Sequence, residues 1–459
     1  MTSSVHNSSS QNPQSYSNTL VDRNKRLIAP DLARGLVLLG IAIANAITTF
    51  AVLKVSPPDA VVTAAGNIYN DSIADKISVM FGTMFIHVRG LPMFATLLGY
   101  GIGMIFVREW RKGATAKQVQ STLVRRYSIL IAFGLVHLIF LFWGDIMLLY
   151  GLIALTLTLL IKVSDKTLFY IALGLYCVGA AVAFLTSYFV PELFLVRNGY
   201  GSGYVRDQLF QGLLIATAIP ITFFAFVPVI GPIVFIGFIA GRREVFVNPE
   251  PYQKYMRIAA ALTVLVVVGI GIPWGLAELG IIPNSIFWQS FNQAFGFLSG
   301  PGYLVWLYWF GKWIEKHKWR ESLPVRMITS LGRMSMSGYV MQSVLFTVLV
   351  LPYGLGFGAE KGAFEVTLIA AGIWAITVVL AWAWSLTGQR GPLETLFRKA
   401  AYSTNPANNR RVSPPTPAVS QIETQSAQPG SGMGETPVRG QEPTSGPSDD
   451  GAFRRPDAH

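Results

Sequence analysis

The sequence predicts an all-α protein that crosses a membrane about ten times, with both termini on the cytoplasmic side. Three observations predict it. Apolar runs of about 18–20 residues, long enough to span a hydrocarbon core, recur along most of the chain. Only 13% of residues are charged and 52% are hydrophobic, whereas a soluble domain carries about 25% charged residues. Basic residues gather in alternate short connections, the bias that fixes orientation in a membrane.

Residues 1–24 are polar and expected to be disordered. Arg23, Lys25 and Arg26 precede a first span at about 32–53, and the acidic connection 54–76 suits the outer side. Span two covers 77–107; His87, Arg89, Gly90 and Pro92 near its start predict a kink or break. Arg108, Arg111, Lys112, Lys117, Arg125 and Arg126 then form the strongest cytoplasmic marker. Spans three (127–143) and four (146–161) flank an outer turn at Trp143, Gly144 and Asp145, and span five covers 167–188. The apolar stretch 208–240 holds Pro220, Pro228, Gly231 and Pro232, so it is either one crossing with a broken or re-entrant part near 220–232, or two short crossings. The basic cluster Arg242, Arg243, Lys254 and Arg257 favours one net crossing, with irregular backbone near 227–233. Spans at 258–277, 289–311, 328–350 and 363–386 complete the count. The transmembrane domain is thus 25–402, and the Pro-, Ser- and Gly-rich stretch 403–459 reads as a disordered cytoplasmic tail.

Several classes are set aside by the same reading. The net charge of +12 lies largely in short loops, where membrane orientation accounts for it, so nucleic acid is not an expected partner. A single cysteine, Cys177, allows neither a disulfide framework nor a thiolate cluster within one chain. No histidine spacing predicts a metal site. The run GYGIGM (99–104) lacks the lysine of a phosphate loop, and its glycines predict close helix packing. No cleavable signal peptide is in view.

Four segments resemble a known family. DLARGLVLLGIAIAN (31–45), MFATLLGYGIGM (93–104), LGRMSMSGYVMQS (331–343) and GPLETLFRKAAY (391–402) are similar to the bacterial DUF418, or YeiB-like, integral membrane proteins. The resemblance spans about residues 25–402. That family is grouped with membrane acyltransferases that include the acyltransferase-3 proteins and heparan-α-glucosaminide N-acetyltransferase. The resemblance therefore implies transfer of an acyl group, acetyl before others, from a cytoplasmic thioester, acyl-coenzyme A, to an envelope glycan, lipid or glycolipid at a bacterial inner membrane. No tightly bound cofactor is implied. Acyltransferase-3 proteins carry an Arg followed eleven residues later by a His; here Arg34 matches the Arg and Asn45 stands at the His place. An amide is no general base, so either another histidine moves the proton or the scaffold no longer transfers acyl groups.

Ionisable groups within spans are costly and mark candidate sites. His87 can serve as general base or acyl carrier, with Asp145 orienting it and Arg89 and Asn45 stabilising an oxyanion or substrate carboxylate. It can equally be a helix-end histidine bonded to a carbonyl or headgroup. His137, eight residues before Asp145, either joins the same cavity or is a hydrogen-bonded core histidine. Arg34, Arg125, Arg126 and Arg333 on the inner side suit the diphosphate of coenzyme A, or simple cytoplasmic anchoring. Tyr339 and Gln342 are candidate substrate contacts, in a span whose serines suit helix packing. Expected partners are membrane lipids, a small-molecule or glycolipid substrate, a second copy in a homodimer, and envelope-assembly proteins at the tail. The competing reading is a transporter or flippase of an envelope lipid or small amphipathic substrate, since interrupted spans suit that class too.

Overall fold

The computed structural model describes residues 27–50, 60–191 and 203–402. The predicted disordered ends, 1–24 and 403–459, lie outside them. Helices follow in the order α1 (Ala29–Asn45), α2 (Ile73–Phe81), α3 (Gly90–Arg111), α4 (Ala116–Phe140), α5 (Met147–Leu159), α6 (Asp165–Phe189), α7 (Gln211–Thr217) and α8 (Ile219–Arg242). The second half adds α9 (Gln253–Val266), α10 (Ile272–Glu278), α11 (Ser285–Phe295), α12 (Ser299–Lys316), α13 (Leu323–Arg333), α14 (Ser335–Leu349), α15 (Ala363–Ser385) and α16 (Pro392–Tyr402). Seven helical stretches are long and apolar enough to cross a membrane: Ala29–Phe50, Ile73–Arg111, Ala116–Phe140, Asp165–Phe189, Ile219–Arg242, Glu250–Glu278 and Ala363–Ser385. The shorter apolar helices α5 and α14, and the aromatic rod made by α11 and α12, fall where the remaining spans are predicted. The chain is an all-α multi-pass membrane protein.

Of three interruptions, the structure moves one, adds one and places one where the sequence predicts it. The sixth span breaks at Ala218, between α7 and α8, and not near 227–233. Pro220 sits in the first turn of α8, where no intrahelical N–H is needed, and the helix continues through Pro228 and Pro232. Its 24 residues reach about 36 Å, enough for one crossing. Span nine is two helices: α13 ends at Arg333, Met334 breaks the run, and α14 begins at Ser335. Span two breaks at His87–Arg89, where Val88 takes a φ of 56°.

Close backbone approach builds the bundle. On α3, a Cβ at Gly99 would sit 1.9 Å from the Val234 carbonyl oxygen of α8, and one at Gly103 would sit 2.5 Å from that of Phe238. The contact is reciprocal: on α8, a Cβ at Gly237 would sit 2.3 Å from the Thr96 carbonyl oxygen and one at Gly241 2.2 Å from that of Tyr100. Two small-xxx-small faces therefore meet, the packing that replaces the hydrophobic effect between helices in lipid. A second such crossing joins α1 to α13, where a Cβ at Gly35 would sit 2.3 Å from the Ile328 carbonyl oxygen and one at Gly332 1.7 Å from that of Asp31. The RG and LGR motifs are thus the two sides of one crossing.

Beyond the sequence reading, residues Ala60–Thr63 and Gly66–Tyr69 form an antiparallel hairpin, β1 and β2, with Ala60 opposite Tyr69 and Thr63 opposite Gly66. Two carboxylates dock it. Asp75 accepts from Tyr69 N at 3.2 Å and from Phe364 N, in the first turn of α15, at 2.9 Å. Glu278 accepts from Ala64 N at 3.0 Å and from Trp274 Nε1 at 2.8 Å. Asp75 is buried. Asp75→Ala, which leaves both N–H groups unpaired, is expected to cost about 3 kcal/mol, read as a lowered unfolding midpoint in detergent. A shift of under 1 °C would show that the hairpin is not held there.

Candidate active site

His137 sits in the last turn of α4, and Asp145 lies just before α5. The turn between them places the carboxylate back against the ring. His137 Nδ1 lies 2.7 Å from Asp145 Oδ2, and the other carboxylate oxygen accepts from Leu148 N at 2.7 Å. Asp145 therefore caps α5 while orienting the imidazole. Gly134, one turn before His137, makes the room: a Cβ there would lie 2.2 Å from Leu148 N and 2.8 Å from Asp145 Oδ1. The far ring nitrogen, His137 Nε2, lies 2.9 Å from Ser343 Oγ of α14. All three residues are buried. A carboxylate at Asp145 accepts from Nδ1–H, which leaves the Nε2 lone pair facing the Ser343 hydroxyl. The ring is flanked by Phe142 and by Tyr339, with centroids 6.3 and 5.0 Å away.

His87 is not part of this set. It is buried with its ring edge-on to Trp274, centroids 5.3 Å apart, and its Nε2 makes no hydrogen bond among the described residues. The hairpin turn lies near it: a Cβ on Gly82 would sit 3.6 Å from the His87 ring and 3.7 Å from the Ala65 carbonyl oxygen. Among the described residues, no hydrogen bond or ion pair joins His87 to His137 or Asp145. Arg89 also departs from its expected role. Its guanidinium donates to the carbonyls of Met84 at 3.1 Å, Val88 at 3.2 Å and Thr83 at 3.4 Å. A broken helix in lipid leaves such carbonyls without partners, and this buried cation caps them. Asn45 is half-buried in the last turn of α1, and Gln342 is buried beside Ser343 with its Nε2 unpaired.

A cavity of about 310 Å³ runs between these helices. Arg34, Arg126 and Arg333 line it together with Asp31 and Glu394, and Leu38, Ile41, Leu130 and Met147 give it an apolar section. Tyr339, whose ring lies on His137, is part of its wall. Asp31 lies 3.6 Å from both Arg34 and Arg333, tying the α1–α13 crossing to this mouth. A more polar cavity of about 300 Å³ shares Asp31 and Arg333 and adds Arg320 and Arg326. Arg125 is placed elsewhere: it donates to the Ala400 carbonyl at 3.1 Å, near the end of α16. Glu394, in the GPLE motif, accepts from Met336 N at 2.9 Å, Ser337 N at 3.1 Å and Ser337 Oγ at 2.5 Å. It caps α14, and so fixes the helix that carries Tyr339 and Ser343. Sequence reasoning named His137 and Asp145 but set the carboxylate first against His87, and treated Ser343 only as a packing serine; the polar character of 335–343 was its one signal.

The fold and site define a multi-pass membrane protein with a buried Ser–His–Asp set beside a cavity lined by arginines. Residues 240–404 match the family described as "Protein of unknown function (DUF418)". The chain is 26% identical over 407 residues to "Uncharacterized protein YxaH" of Bacillus subtilis (strain 168), covering 83% of this chain and 95% of that protein. It is also 26% identical over 403 residues to "Uncharacterized protein YeiB" of Escherichia coli (strain K12), covering 82% and 96%. Over residues 240–404 the chain is thus similar to the DUF418 family, and over most of its length to these two proteins, the likeness its motifs led us to expect.

Proposed function

We propose that the protein is a bacterial inner-membrane acyltransferase that takes an acyl group from a cytoplasmic coenzyme A thioester and passes it to an envelope glycan, lipid or glycolipid. One observation carries the reading: an imidazole held between a carboxylate and a hydroxyl, beside a cavity with arginines at one end and apolar walls at the other. An amphipathic anion fits that division. Its phosphates would pair with Arg34, Arg126 and Arg333, and its acyl part would lie along the apolar section toward Tyr339. His137 would act as general base, and Asp145 would stabilise the imidazolium that forms. The buried Tyr339 hydroxyl, which meets the Ile146 backbone, would turn its O–H to the developing oxyanion as a donor.

The test uses purified full-length protein in vesicles of bacterial lipid extract, with [14C]acetyl-coenzyme A as donor. Label transferred to lipid or glycan, with matching thiol release, supports the reading; no thiol release above empty vesicles contradicts it. Arg34→Gln and Arg333→Gln should each raise KM for the donor about tenfold, the value of a charge-assisted hydrogen bond, with kcat nearly unchanged. Unaltered KM in both would remove the donor from this mouth. The break at His87–Arg89 favours transport as the second reading, because interrupted helices commonly flank a transported substrate. Uptake or flipping of labelled lipid by vesicles without donor hydrolysis would select it.

A further inference from the structure

We propose that Ser343 is the nucleophile that carries the acyl group between donor and acceptor, so that the reaction runs through an O-acyl-serine. This rests on the acyl-transfer reading and adds a covalent step to it.

A serine that merely satisfies itself within a membrane helix donates to the carbonyl one turn back. Neighbouring hydroxyls do this: Thr347 Oγ1 lies 2.9 Å from the Ser343 carbonyl oxygen, and Thr367 Oγ1 lies 2.7 Å from that of Ala363. Ser343 Oγ instead stands 3.5 Å from the Tyr339 carbonyl and 2.9 Å from His137 Nε2. The imidazole nitrogen is the nearer of its two partners by 0.6 Å. The order Ser343 Oγ, His137 Nε2, His137 Nδ1, Asp145 Oδ2 has the hydrogen-bond lengths that nucleophilic activation requires. Leu148 N holds the carboxylate in that orientation from its other oxygen. Tyr339, one turn before Ser343, lines the cavity and has its ring centroid 5.0 Å from that of the imidazole. Burial of Ser343 keeps bulk water from an ester formed there.

The step balances. Ser343 Oγ attacks the thioester carbonyl as its proton passes to His137 Nε2; the C–S bond breaks, and that proton goes to the departing thiolate. The products are an O-acyl-serine and a free thiol. In the second half, His137 takes the acceptor's hydroxyl proton, the acceptor oxygen attacks the ester, and Ser343 recovers a proton from the imidazolium.

The experiment incubates full-length protein in detergent with [14C]acetyl-coenzyme A and no acceptor, quenches in acid, and maps the label by peptide mass spectrometry. Wild type should carry acetyl on Ser343, stable to neutral hydroxylamine and released by alkali. Ser343→Cys should carry it as a thioester that neutral hydroxylamine releases. Ser343→Ala should carry none and should transfer at least about 100-fold more slowly. A wild-type protein that transfers acetyl without labelling Ser343, or Ser343→Ala at full rate beside an inactive His137→Ala, overturns the covalent step and leaves base catalysis standing. Wild type that consumes no donor overturns both.

Discussion

His137→Ala is expected to lower acetyl transfer from acetyl-coenzyme A by about 10²- to 10⁴-fold, with the protein still monodisperse in detergent. The reason is positional. His137 is the imidazole whose one nitrogen meets a carboxylate and whose other meets a hydroxyl. Asp145→Asn provides the sharper variant: the amide oxygen can still accept from Leu148 N and cap α5, but it removes the charge that favours the imidazolium. It is expected to lose activity by a similar factor with little change in the unfolding midpoint. His87→Ala is expected to leave kcat near wild type, because that ring faces Trp274 near the hairpin turn. The same vesicle assay, run on all three variants beside a thermal melt, checks the set. Equal activity in His137→Ala and wild type would dismiss the base.

Gly99→Val and Gly241→Val are each expected to abolish folded protein, seen as loss of the monodisperse peak in size-exclusion chromatography. The Cβ positions lie 1.9 Å from the Val234 carbonyl and 2.2 Å from that of Tyr100, so backbone and not a pliable side chain would have to move. Separating α3 from α8 costs more than the roughly 1–3 kcal/mol of an ordinary overpacked core. Gly101 is the control on the same helix, since a Cβ there meets nothing within 4 Å. Gly101→Ala should be neutral or gain up to about 1 kcal/mol from helix propensity. A folded Gly99→Val protein with a wild-type melting midpoint would contradict this account of the crossing.

Hydropathy made the helical class legible, because each crossing is a local run of apolar residues. The interruptions were less legible, because what makes them tolerable is distant or irregular. Proline content pointed to 227–233, yet α8 absorbs Pro228 and Pro232, and the chain breaks at Ala218. The break after Arg333 is stabilised by Glu394, 58 residues beyond the Met336 amide that it accepts from. Site residues divide the same way. His137 and Asp145 lie eight apart across one turn, so the sequence could pair them. Ser343 lies 206 residues from His137, and no local pattern predicts that contact. Arg89 shows the opposite error: an ionisable residue within a span suggests a ligand, but its donors are spent on the carbonyls that its own broken helix exposes. Three of the four inner-side arginines line the cavity, whereas Arg125 turns to the end of α16.

The most direct test is a structure of the full-length protein with a non-hydrolysable acetyl-coenzyme A analogue bound. The account predicts the diphosphate against Arg34, Arg126 and Arg333, and the acetyl carbonyl carbon within about 3.5 Å of Ser343 Oγ or His137 Nε2, a near-attack distance. An analogue seated away from those arginines, or an acetyl group that ends in the pocket without reaching the His137–Ser343 pair, would contradict it.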